Sequence, residues 1–189
     1  MVEKAPIPVF QEPRDIALKL FREAGRTWNA RDVESMRDHL FNFCVTSSSL
    51  RDWLLQSKGV KGNHAFHQDW RGKADGLFGV CADIANASKH LLVLKASVAT
   101  NTEQLVALGP NGAIPGSEWS RDSFHIVLST GNSIDLLTFI HKICMAWEES
   151  FRTDPDQSPL PSHAEFLLKV LCTRCLMTSG STPWGRHDT

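Results

Sequence analysis

The chain has 189 residues, with 20 Lys+Arg against 21 Asp+Glu and a formal net charge of −1. At 42% apolar and 22% charged residues it has the composition of a packed globular chain, which excludes a disordered or fibrous one, and one domain over residues 1–189 is expected. Balanced charge also excludes the general basic surface that releases counterions from nucleic-acid phosphate, so RNA enters only through a local patch.

No window approaches the roughly 18 consecutive apolar residues of a membrane span, and the first residues carry no basic segment followed by an apolar run. A soluble, unexported, cytoplasmic protein with no membrane partner is expected. Five cysteines, Cys44, Cys81, Cys144, Cys172 and Cys175, form an odd set and fall in patterns that read as helical, which fits reduced thiols. Cys172-x-x-Cys175 is the one close pair; it reads as two small helix residues, beside a metal or redox role aided by His163 or His187.

Pro6, Pro8 and Pro13 predict an extended arm over residues 1–12. Ile16, Leu20, Phe21, Ala24 and Trp28 recur at steps of three and four, which predicts a helix over 14–28 ending near Asn29. A second and longest helix is expected over 32–56, with Asp32 as N-cap and Val33, Met36, Leu40, Phe43, Leu50 and Leu54 as its apolar line. Asp38, Asn42, Ser49 and Asp52 fall on the opposite side. The segment 57–74, with Gly59, Gly62, Asn63 and Gly72, reads as a loop. A third helix is expected from Asp75, as cap, to Leu92.

Beyond Leu92 the pattern changes to β-branched and alternating residues. Turn signals at Gly109-Pro110-Asn111-Gly112 and Pro115-Gly116 then predict an antiparallel sheet of two or three strands within 93–130. A fourth helix is expected over 133–151, carrying Leu136, Ile140, Ile143, Cys144, Trp147 and Phe151. After a proline-rich linker over 152–161, a last helix capped by Ser162 carries Phe166, Leu167, Val170, Leu171 and Leu176, and residues 180–189 read as a flexible tail.

The strongest polar constellation lies on the third helix. Asp83, Asn86 and His90 share a face with Gly79 and Ala87, so a carboxylate, an amide and an imidazole stand among residues small enough to admit another element. Enclosed, Asp83 and Asn86 orient His90 as a general base, or His90 and Asp83 ligate a metal. Solvated, or in a satisfied contact between helices, the same face is structural. The stripe with Asp38, Asn42, Ser49 and Asp52 matters if it meets His90, with Arg37, His39 and Arg51 supplying positive charge. His64-x-x-His67 with Asp69 has the look of metal ligands without the HExxH pattern. No G-x-S-x-G, P-loop or dinucleotide fingerprint occurs, and no cofactor is expected.

Leu50-Arg51-Asp52-Trp53 and Asp83-Ile84-Ala85-Asn86-Ala87-Ser88-Lys89-His90 resemble segments of a group of uncharacterised bacterial helical proteins. The helix layout is also similar to that of the HEPN superfamily. That resemblance implies an antiparallel helical bundle, often dimeric, among RNA-cleaving toxins and defence proteins. HEPN ribonucleases carry Arg and His at a short fixed spacing that neither Arg31 with His39 nor Arg121 with His125 reproduces, so the catalytic motif is not carried over.

The expectation is therefore a mainly α chain. It is an antiparallel bundle of about five helices with a small antiparallel sheet inserted between the third and fourth. Its expected role is that of an interaction or regulatory protein whose polar site around Asp83, Asn86, His90, Arg51 and Asp52 meets a protein partner or small ligand, with a homodimer as one assembly. The alternatives are metal-independent RNA cleavage, with His90 as acid or base and Arg37 or Arg51 on phosphate charge, and a metal-assisted hydrolase.

Overall fold

A computed structural model describes residues 10–87, 97–128, 131–167 and 170–172. The chain is mostly helical, with six helices and a small antiparallel sheet among the described residues. Helix α1 (Pro13–Asn29) begins where the sequence places it. Pro13 sits in its first turn, where a missing N–H costs nothing, and the Asp15 carboxylate accepts the backbone N–H groups of Gln11 and Glu12 at 2.7 and 3.2 Å. Helix α2 (Val33–Ser57) starts on Asp32, whose side chain accepts from Ser35 N at 2.7 Å.

The segment 57–74 is not all loop, because residues His64–Gly72 form helix α3. Asn63 caps it by accepting from Phe66 N at 2.9 Å, and Trp70, only 7% exposed, anchors it. Nine residues between glycines show too few turns for periodicity, so cap and anchor decide the conformation. Helix α4 (Leu77–Ala87) starts two residues after the expected cap: Asp75 lies in a tight left-handed turn with Ala74 and Gly76, at φ of 52°, 58° and 83°. Residues 88–92 of the expected helix lie outside the described residues.

The sheet follows α4 and precedes the fifth helix, one helix later than expected because α3 exists. Strand β1 (Ser97–Gly109) turns through Pro110 and Asn111 into β2 (Gly112–Ala113) and pairs with β3 (Trp119–Val127), which pairs with β4 (Ser133–Asp135). All pairings are antiparallel, in the order β2-β1-β3-β4. The fourth expected helix thus starts late. Ser133–Asp135 is strand, and Asp135 caps α5 (Leu136–Thr153) by accepting from Thr138 N at 2.9 Å. The last expected helix shrinks to one turn, α6 (Ala164–Leu167), after which β5 (Val170–Cys172) pairs with Leu105–Ala107 of β1. A short apolar run fits strand or helix, and the open edge of β1 settles it. Cys172 is therefore a strand residue, and Cys175, Leu176 and the tail lie outside the described residues.

One core joins these elements: Leu20, Phe21 and Trp28 of α1, Met36 and Phe43 of α2, Phe78 of α4, Phe124 and Ile126 of β3, and Phe139 and Trp147 of α5. Trp70 stacks on Phe78 with ring centres 4.6 Å apart and meets Trp147 at 4.9 Å, tying α3 to α4 and α5. The Trp147 indole N–H donates to the buried Ser47 hydroxyl at 3.0 Å, so the polar edge of that ring is satisfied. Among the described residues, no helix is long and apolar enough to cross a membrane.

A buried cation joins sheet to helices. Arg121 of β3, with a side chain 2% exposed, pairs across the strands with Glu103 of β1 at 3.0 Å. Its other guanidinium nitrogen donates to the carbonyls of Trp28 and Ala30 at the C-terminal end of α1, the latter at 2.6 Å, and its central carbon lies 4.7 Å from the centre of the Trp28 ring. A cation there completes helix-end carbonyls that have no partner in the helix. Arg121→Ala leaves Glu103 and both carbonyls without this donor, so the expected loss is about 3–5 kcal/mol in urea unfolding. A change below about 1 kcal/mol, the value of an exposed pair, contradicts the assignment.

Candidate functional site

The face of α4 that carries Asp83 forms a contact between helices. Gly79 lets α3 come close: a Cβ at Gly79 would stand 3.1 Å from the Arg71 carbonyl oxygen and 3.6 Å from an Arg71 guanidinium nitrogen. One turn on, the same Arg71 nitrogen lies 2.8 and 2.9 Å from the two Asp83 oxygens. The small residue thus admits the backbone of α3, and the acid holds its arginine. Asn86 and Ala87 are exposed, and His90 lies outside the described residues. The described part of the expected triad is therefore an Asp83–Arg71 clasp beside a solvated amide.

The stripe on α2 is surface. Asp38, Asn42 and Asp52 are exposed, and Ser49 donates to the Val45 carbonyl of its own helix. Arg37 is exposed, while the half-buried His39 ring lies 3.5 Å from the buried Glu23 carboxylate of α1. His64 and Asp69 are exposed on α3, and no group of His, Cys, Asp and Glu among the described residues is arranged to hold a metal ion. Cys44, Cys81 and Cys144 are buried free thiols. The sulfurs of Cys44 and Cys81 are 3.6 Å apart, and burial pushes the Cys44 and Cys144 thiols well up.

Of the expected site residues that the structure describes, Arg51 opens onto a recess. It faces a cavity of about 350 Å³ between the C-terminal turn of α2, α3 and the end of α5. Leu54, Leu55 and Phe66 form an apolar wall, and Arg51, Lys58 and Lys73 supply positive charge. Lys58 pairs with Asp154 at 2.5 Å, and that ammonium holds the Asp154 carboxyl below its ordinary range. Lys73 lies 5.3 Å from the centre of the Trp70 ring. Arg51 pairs with Asp52 at 2.7 Å, but Asp52 is 60% exposed, so water screens that attraction. The ends of α2 and α5 bring partial negative charge of about half an elementary unit each, which with Asp154 offsets part of the three cations. A net positive recess with an apolar wall remains.

A second constellation escapes the sequence pattern. His141 and Glu148, seven residues apart, share a face of α5 because seven residues make about two helical turns. The chain returns through Pro159 and Pro161 to set His163, 2% exposed, between them. His163 Nδ1 lies 2.6 Å from Glu148 Oε1, and its Nε2 lies 2.7 Å from His141 Nδ1. Burial alone would raise the Glu148 carboxyl; hydrogen bonds from the His163 ring and backbone N–H, with histidine charge, outweigh it and hold the carboxyl low. Burial first, and the neighbouring His163 second, lower His141. The pairing of His141 with Glu148 was legible as helical spacing, whereas nothing local ties His163 to either.

Both shifts act in one direction. The folded chain binds fewer protons than the unfolded chain as pH falls through the histidine and then the carboxylate range, so acid lowers stability there. Glu148→Gln removes the depressed carboxyl. Its urea midpoint is expected to fall less steeply between about pH 6 and pH 4 than that of the unaltered protein, and parallel curves contradict the assignment. Comparison of the chain with family models, curated proteins and solved structures finds no match.

Proposed function

We propose that the protein binds a phosphate ester with an apolar or ring-bearing body, in the recess between α2, α3 and α5. This keeps the binding role expected from the sequence and moves it from the His90 face to the Arg51 end of α2. The carrying observation is the pairing of Arg51, Lys58 and Lys73 with the apolar wall of Leu54, Leu55 and Phe66 in one cavity. Arginine and lysine differ in what they contribute. The guanidinium of Arg51 presents a planar fork suited to phosphate oxygens, whereas Lys58 and Lys73 act as point charges. Arg51 keeps a side chain only 18% exposed, so its charge is less screened than that of a surface arginine.

Helices α2 and α5 hold the site open through the Lys58–Asp154 pair, which joins the C-cap residues of the two helices. The apolar wall discriminates by burying the body of the ligand, at about 25 cal/mol for each Å² removed from water. Inorganic phosphate lacks that body and a nucleoside lacks the charge, so each alone binds less well than their ester. RNA carries the same phosphate group, and a short single strand is the polymeric form of this ligand class.

Isothermal titration with adenosine monophosphate, adenosine and inorganic phosphate tests the reading. The monophosphate is expected to bind more tightly than either part, and more weakly as salt rises. Arg51→Ala and Lys73→Ala are each expected to weaken it by about tenfold, the loss of one charge-assisted hydrogen bond. Absence of binding by the monophosphate, or affinity unchanged in both variants, overturns the proposal.

A further inference from the structure

The segment that follows the proline linker is fastened at successive points. His163 docks on α5 through His141 and Glu148. Next, α6 lies so close to α1 that a Cβ at Gly25 would stand within 2.3 Å of the Phe166 carbonyl oxygen. Asn29 then reaches the Leu167 carbonyl at 3.4 Å, and β5 completes the path along the edge of β1. The contacts on α1 and β1 are packing and backbone pairing. The one at the start of the segment is a chain of ionisable groups.

Hydrogen counting sets what that chain tolerates. One hydrogen lies between Glu148 Oε1 and His163 Nδ1, and one occupies the 2.7 Å gap between His163 Nε2 and His141 Nδ1. With both rings neutral, or with His141 alone charged, His141 donates across that gap and the geometry holds. With both rings charged, each ring nitrogen facing the gap carries a hydrogen and the contact becomes repulsive. We propose that His141, His163 and Glu148 form an acid-released clasp: double protonation of the two imidazoles opens their contact and loosens residues 160–167 on α5.

Among the described residues, the single Glu148 carboxylate is the acid that both rings share, so it offsets one imidazolium charge and not two. From α5 the facing groups are His141, Glu148 and the buried Cys144 thiol, and Glu148 is already engaged with His163. From α1 the Phe21 ring lies 6.0 Å from the His163 ring, and Arg14 reaches the Pro159 carbonyl at 3.4 Å, adding a cation at the start of the segment. On the segment itself Glu165 is exposed. Burial, and then the charge of His163, lower the affinity of His141 for a proton, against a smaller opposing pull from Glu148. The clasp shares no residue with the recess, so failure of either proposal leaves the other standing.

Amide hydrogen exchange of the whole chain, read by mass spectrometry on peptides covering 160–167 and corrected for intrinsic exchange chemistry, tests the clasp between about pH 7.5 and pH 5. Acid is expected to accelerate exchange in this segment by about tenfold, while peptides of α1 and α2 away from the contact keep their protection. His141→Asn keeps an amide near the Nδ1 position that either donates to or accepts from His163, so its acid acceleration is expected to vanish. Glu148→Gln is expected to expose the segment already at neutral pH. No acceleration in the unaltered chain, or equal acceleration in His141→Asn, overturns the proposal.

Discussion

Arg121 is the constraint on which the arrangement of sheet and helices depends. A guanidinium without water is tolerated where its donors find acceptors, and here they find the Glu103 carboxylate and the carbonyls of Trp28 and Ala30. Those acceptors come from different layers: Glu103 is its cross-strand neighbour on β1, while the carbonyls end α1. Apolar contacts between β3 and the helices tolerate sliding. A buried fork with fixed acceptors does not, so this pair sets the position at which the Phe124 and Ile126 face of β3 meets the core. The Trp28 ring beneath the guanidinium adds a second, cation–π contact.

From that anchor the rest of the chain is placed by close approaches at small residues. Gly79 lets Arg71 cross α4 and reach Asp83, and Gly25 lets α6 lie on α1. A methyl group at Gly25 would overlap the Phe166 carbonyl and displace α6, whereas one at Gly79 would press the Arg71 backbone back by a few tenths of an ångström. The aromatic group of Phe66, Trp70, Phe78 and Trp147 then holds α3 across α4 and α5. By holding α3 there, it brings Phe66 and Lys73 opposite Arg51 and Lys58. The proposed recess thus follows from core packing, with its cations carried on helix ends.

Local signals explain what the sequence disclosed. Pro13, the three-and-four spacing of α1 and the Asp32 cap act within a few residues, and both helices begin where those residues put them. The Gly109-to-Gly112 turn likewise produces the hairpin of β1 and β2. Long-range causes account for what was hidden. Val170–Cys172 becomes strand because β1 offers an edge, α3 forms because Trp70 finds Phe78 and Trp147, and Ser133–Asp135 joins β3 before α5 begins. The candidate site divides in the same way. Gly79 announced a close approach on the Asp83 face, but the arriving group, Arg71, lay in a segment read as loop. Arg51 was singled out for phosphate, yet its partners Lys58 and Lys73 are collected by tertiary packing. His163 joins His141 and Glu148 across the proline linker, beyond the reach of any helical spacing.

The proposed phosphate site lies where α2, α3 and α5 meet, and nuclear magnetic resonance locates such a site directly. Adenosine monophosphate added to isotopically labelled protein is predicted to shift the Arg51 Nε–H signal together with amides of residues 54–58, 66–73 and 150–155. Shifts gathered on the α4 face around Asp83 and Asn86 instead, or none at saturating ligand, would contradict it.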